Sequence, residues 1–158
     1  MPVATGRNCV EQWSTLDRLR HLRARVNRPA MNRSLTVLAS VLGFLGVGLG
    51  AFGAHGVKKL LEAAPDAAQR LAWWETAAKY HLVHALAVGL AAVLAAQVEG
   101  LAPKLAGWLF AAGILLFSGS LYAMTLTNVR VLGAVTPFGG LLLLAAWALV
   151  GYSALKLR

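Results

Sequence analysis

The chain is poor in charge. Asp, Glu, Lys and Arg make up 13% of its 158 residues, about half the usual share of about 25%. Carboxylates are scarcest, with 6 Asp+Glu against 15 Lys+Arg. A water-soluble domain of this size needs a polar surface, and this composition does not supply one. A soluble enzyme and a disordered chain are therefore excluded. The single cysteine, Cys9, permits no internal disulfide and no cysteine metal site, which excludes a disulfide scaffold. What the chain has in excess is apolar. Hydrophobic residues reach 58%, against roughly 45–50% in globular proteins, and the mean hydropathy is +0.64. An integral membrane protein remains.

Four continuous apolar runs stand out, at about 35–54, 77–96, 105–125 and 136–155. Each is about 20 residues, enough for a helix to cross roughly 30 Å of hydrocarbon. None contains a carboxylate, and a charged group at mid-bilayer costs at least roughly 2.5–3.5 kcal/mol. The runs are continuous rather than alternating, which argues against membrane strands. The expected fold is all-α: an integral membrane, antiparallel four-helix bundle with a short interfacial helical segment between spans one and two. That segment falls in residues 55–76, where Lys58, Lys59, Glu62, Asp66, Arg70 and Glu75 mix with Leu60, Leu61, Leu71, Trp73 and Trp74. Tryptophan pairs suit the headgroup level. The other links are short, with Gly100 and Pro103 in one and Asn128, Arg130 and Gly133 in the next.

Residues 1–30 differ from the rest. Arg7, Arg18, Arg20, Arg23, Arg25 and Arg28 face only Glu11 and Asp17, and Trp13, Leu16, Leu19, Leu22 and Val26 recur at helical spacing. The segment reads as a basic amphipathic or disordered N-terminal extension, suited to an anionic membrane face, or as a start-site artefact with Met31 the true start. The 31–158 remainder is the four-span membrane domain. An even number of spans puts both termini on one side. That side carries 10 Lys+Arg and the other carries 5, so the positive-inside bias expects cytoplasmic termini. A start at Met31 removes the bias, leaving 4 against 5. The excess of cations at the ends of apolar runs points to membrane lipids as partners, not to nucleic acid.

Polar residues within spans are the best pointer to function. Span one ends at His55, span two opens with Lys79, Tyr80, His81 and His84, span three carries Ser118, Ser120, Tyr122 and Thr125 late, and span four opens with Thr136 and Pro137. Chain direction alternates, so these residues gather in the bundle half away from the termini. The candidate polar cluster is His55, His81, His84, Ser118, Ser120, Tyr122 and Thr136. Its three imidazoles are weak metal candidates and could pass protons. As plain structure they would donate hydrogen bonds to neighbouring helices or water. No tight ligand motif exists, so neither a metal nor a cofactor is expected.

Small residues mark the packing faces. Gly46, Gly50, Gly53, Gly139 and Gly140 are the candidate close-approach positions, and Gly46 and Gly50 form GxxxG. Such a face packs inside the bundle or joins chains into a homo-oligomer or larger membrane complex. Ser118-Gly119-Ser120 is not GxSxG and no aspartate lies within a span. With no complete catalytic set, enzymatic activity is not expected.

Four stretches together resemble a known family. They are Gly50-Ala51-Phe52-Gly53-Ala54-His55-Gly56, Tyr80-His81-Leu82-Val83-His84-Ala85, Phe117-Ser118-Gly119-Ser120-Leu121-Tyr122 and Thr136-Pro137-Phe138-Gly139-Gly140. They resemble, in this order, the signatures of the domain of unknown function 423 family of small four-span membrane proteins (YgdD-like and YwdK-like). The resemblance covers about 35–155 and implies a multi-pass bacterial inner-membrane protein. It implies no activity. The residues themselves point first to a non-enzymatic accessory, assembly or structural membrane component. The alternative is a small transporter, or a binder of a proton, metal ion or lipid-like ligand, using the one-sided cluster.

Overall fold

The computed structural model describes residues 31–157. The N-terminal extension expected at 1–30 lies outside the described residues. Helix α1 is the continuous run Arg33–Leu60. It starts after Asn32, an extended N-cap residue whose side chain accepts the Leu35 N–H at 3.2 Å, satisfying one of the orphan donors of the first turn. Near its far end α1 widens into a π-helical turn at Gly53–Val57. The Trp74 indole lies so close to Gly53 that a Cβ there would collide with it. Its Nε1–H donates to the Leu49 carbonyl at 2.9 Å. That carbonyl also accepts the Gly53 N–H, so it receives two donors where the π turn begins.

The link to α2 is short and contains Pro65. Helix α2, Ala67–Gln97, has 31 residues, about 46 Å at 1.5 Å per residue. That exceeds the roughly 30 Å hydrocarbon thickness, so its first turns continue beyond the apolar run. The interfacial helical segment expected between spans one and two is thus realised as extensions of both spans, continuous with them. Hydropathy marks where lipid-facing residues begin; the backbone ladder continues until proline or a turn interrupts it. Gly100, at φ +117°, makes the next turn, a conformation glycine adopts without penalty. Helix α3, Ala102–Thr127, opens with Pro103 in its first turn and ends at Asn128, φ 58° and ψ 17°, a left-handed stop that asparagine tolerates. A 3₁₀ turn, Arg130–Ala134, leads into α4, Thr136–Ala154, with Pro137 in its first turn. Among the described residues there is no strand.

The helices pack in chain order. α2 and α3 form the central pair, α1 lies on α2 and α4 lies on α3, with only slight diagonal contacts. The core between them holds Leu35, Val88, Ala91, Ala92, Phe110, Leu143 and Ala146. Much of it is alanine and glycine, since helices in lipid associate by close backbone approach. Gly139 is the tightest case: a Cβ there would run into the Phe117 backbone N and Cα. The best apolar stretches of α2 and α3 are both 44% buried, those of α1 and α4 only 11% and 17%. The outer helices therefore present most of their surface to whatever surrounds the chain.

Candidate functional site

The expected polar residues do not form one cluster. They divide into four places, and register explains the division. His81 and His84 are three apart, which puts them about 60° apart around α2. That angle sends them to different neighbours.

His84 points toward α3 and α4. Its Nδ1 lies 2.7 Å from the Tyr80 carbonyl and its Nε2 lies 3.3 Å from Trp147 Nε1. An indole nitrogen only donates and a carbonyl only accepts. His84 therefore carries its proton on Nδ1 and accepts with Nε2, as a neutral imidazole. Tyr80 stacks on the ring, and Phe110 and Trp147 enclose it. Every polar atom of His84 is occupied.

His81 points into the junction of α1, α2 and α3. It is 5% exposed, and neither ring nitrogen has a hydrogen-bond partner. The Leu42 backbone lies beside the ring without completing a bond of good geometry. Gly46 of α1 presses against Leu82 and the His81 ring: a Cβ there would meet Leu82 Cδ2 at 2.9 Å and His81 Cδ2 at 3.4 Å. Tyr122 of α3 is the neighbour on the other side, 6.2 Å between ring centroids, and itself packs on Trp74 at 4.5 Å. The Tyr122 hydroxyl and the Ser118 hydroxyl are also buried without partners. Ser118 and Tyr122 are one turn apart on α3 and share a face. Four partnerless polar atoms thus belong to three residues around one helix junction. A buried polar atom left unpaired costs about 1–3 kcal/mol, and among the described residues these four are the buried side-chain atoms without a partner.

Ser120 and Thr136 tie α3 to α4. Ser120 Oγ donates to the Phe117 carbonyl at 2.9 Å and accepts from Thr136 Oγ1 at 2.8 Å. Both hydroxyls are structural. His55 stands apart. It lies exposed in the π-helical turn and lines a cleft with Lys58, Lys59 and Glu62. Among the described residues no three His, Cys, Asp or Glu side chains are placed to hold a metal ion. The three-imidazole arrangement considered from sequence is not formed, because His55 faces the cleft and His84 is committed to Tyr80 and Trp147.

The packing glycines divide as well. Gly46, Gly53 and Gly139 are buried contacts, and a Cβ at Gly140 would meet the Phe117 ring at 3.8 Å. Gly50, expected to pack, has open space where its Cβ would be. The GxxxG pair is therefore not one packing unit: Gly46 turns to α2 and Gly50 turns away.

Sequence reasoning missed one polar latch. Arg70 Nε donates to the Thr125 carbonyl at 2.8 Å and its Nη2 to the Leu126 carbonyl at 3.3 Å. Thr125 Oγ1 returns a bond to the Arg70 carbonyl at 3.1 Å. Asp66 lies 3.7 Å from Arg70 and 3.6 Å from Arg130. A cation here satisfies the last carbonyls of α3, where the helix dipole favours it. The available signal was an arginine and a span-ending threonine predicted for the same side.

The family model described as "Protein of unknown function (DUF423)" matches residues 49–140, a stretch that contains all seven candidate polar residues. The UPF0382 membrane protein YwdK of Bacillus subtilis is 42% identical over 121 residues, covering 76% of this chain and 94% of that protein. A UPF0382 membrane protein of Haemophilus influenzae is 41% identical over 127 residues, covering 79% and 95%. The UPF0382 inner membrane protein YgdD of Escherichia coli is 36% identical over 134 residues, covering 80% and 93%. No solved structure matches the chain. With four helices long and apolar enough to cross a membrane and relatives of this kind along most of its length, the chain belongs to the DUF423 family of membrane proteins.

Proposed function

We propose that the protein is a non-enzymatic accessory or assembly component of the bacterial inner membrane, associating through α1, with its termini in the cytoplasm. The carrying observation is that Gly43, Gly48 and Gly50 have nothing within 4 Å of where a Cβ would stand. Around Gly43 and Gly50 runs a stripe of Thr36, Ser40, Gly43, Val47, Gly50 and Ala54, at alternating spacings of four and three. That spacing is the seam of a left-handed helix pair, and small side chains let a second backbone approach closely. Glycine within a helix costs roughly 0.5–1 kcal/mol relative to alanine, and the chain's own packing does not offset that cost at these positions. A partner helix does. The test is gentle extraction in native lipid, with and without Gly43→Leu and Gly50→Leu. The complex recovered with the unaltered chain is lost from the double variant, while its thermal midpoint is kept. Recovery of the unaltered chain alone and as a monomer sinks the proposal.

A second reading is a small transporter or a binder of a small ligand. Two observations favour it: the partnerless His81, Ser118 and Tyr122 atoms and the interfacial cleft beside His55. His81→Ala then abolishes ligand retention or flux in reconstituted vesicles, while His84→Ala acts through stability. Equal effects of both substitutions, tracking the loss of folded protein, remove this reading.

A further inference from the structure

The end of α1 and the start of α2 enclose a cleft of about 520 Å³, lined among others by His55, Lys58, Lys59, Leu61, Glu62 and Leu71. That volume lies in the range of about 300–1,000 Å³ typical of ligand sites. Its lining has two characters. Leu61, Leu71 and three alanines supply an apolar floor, and the rest of the lining is three nitrogen-bearing side chains and a single carboxylate, Glu62.

The cations are uncommitted. Arg70 and Arg130, on the same side, pair with Asp66, and Arg70 also holds the α3 carbonyls. Lys58 and Lys59 form no ion pair among the described residues, although Glu62 is three and four positions away on the chain. The π-helical turn adds a second feature. It begins two residues before His55 and ends at the residue before Lys58, so it sets the angle at which all three side chains meet the cleft. π-Turns inside α-helices are frequent at functional sites.

We infer that this cleft binds one anionic glycerophospholipid. The lipid phosphate is held by Lys58, Lys59 and His55, and the upper part of an acyl chain lies on Leu61 and Leu71. Charge complementarity selects the occupant. An apolar floor beside paired ammonium groups matches an anionic amphiphile and disfavours both a cation and a fully polar solute. The cleft sits at the end of a membrane span, at headgroup level, where such a lipid is present at high local concentration. The inference deepens the second reading by naming its ligand.

The test is native mass spectrometry of the full chain, extracted from vesicles of equal phosphatidylglycerol and phosphatidylethanolamine. One retained phosphatidylglycerol per chain is expected. Lys58→Gln with Lys59→Gln lowers that retention at least about fivefold. Lys79→Gln and Lys104→Gln, which remove charge outside the cleft, leave it unchanged. All four lysines are exposed, so the variants fold. Equal loss from the control variants, or retention that the cleft pair leaves intact, overturns the site. His81→Ala separates the two ideas. Retention abolished by His81→Ala but not by the lysine pair places a ligand elsewhere and leaves the binder reading standing. Retention of no lipid by any form removes the lipid site and leaves the binder reading to the flux measurement.

Discussion

At the residue scale, two histidines three positions apart have opposite roles, and stability measurements distinguish them. His84 is bonded at both nitrogens and enclosed by Tyr80, Phe110 and Trp147. His84→Ala removes two hydrogen bonds, leaves the indole N–H unpaired and opens a cavity. It should lower unfolding stability by about 2–4 kcal/mol, read as a drop in thermal midpoint. In ¹⁵N spectra of bilayer samples, His84 should show the neutral form protonated on Nδ1. His81 has no such partners. His81→Leu replaces two unpaired buried nitrogens with apolar volume of similar size, so stability should stay level or rise by about 1 kcal/mol or more. A group whose removal stabilises the chain is kept for something other than packing. A clear loss of stability on His81→Leu would instead make it an ordinary core residue.

At the element scale, the glycines divide the helices into internal and external faces. Gly139→Ala forces a Cβ into the Phe117 backbone, which cannot move without separating α3 from α4. The expected cost is about 1–3 kcal/mol, to be read from heat or denaturant unfolding. Gly43→Ala and Gly50→Ala meet open space and gain helix propensity. They should be neutral or stabilise α1 by up to about 1 kcal/mol each. The same positions as leucine should disrupt association. Sequence alone could not make this division. Every glycine in α1 has the same intrinsic cost, and only the placement of α2 decides that Gly46 and Gly53 are covered while Gly43 and Gly50 are not.

At the scale of the whole molecule, an up-down chain of four helices puts both ends of the described domain on one side. With the termini in the cytoplasm, a cysteine introduced at Ala63 should react in intact cells with a membrane-impermeant thiol reagent, and one at Glu99 should not. Both use a Cys9→Ser background. Labelling at 99 and protection at 63 would invert the orientation and place the lysine-lined cleft on the cytoplasmic side.

Length, the four apolar runs and the absence of carboxylates within them were sufficient for span number, helical class and chain direction. Each depends on transfer of one segment between water and lipid, a local quantity. Direction in turn predicted that His81, Ser118 and Tyr122 would lie in one half of the bundle, since depth follows from position along a span. Rotation about each helix axis was beyond the sequence. It follows from which ridges of α2 meet α1, α3 and α4, and all four helices are apolar nearly all round. Tertiary packing therefore decided that His84 is satisfied, that His81 is not, that His55 opens onto a separate cleft, and that Arg70 closes the end of α3. Three of these depend on contacts between segments tens of residues apart and the cleft on two consecutive helix ends, and no single segment contains any of them.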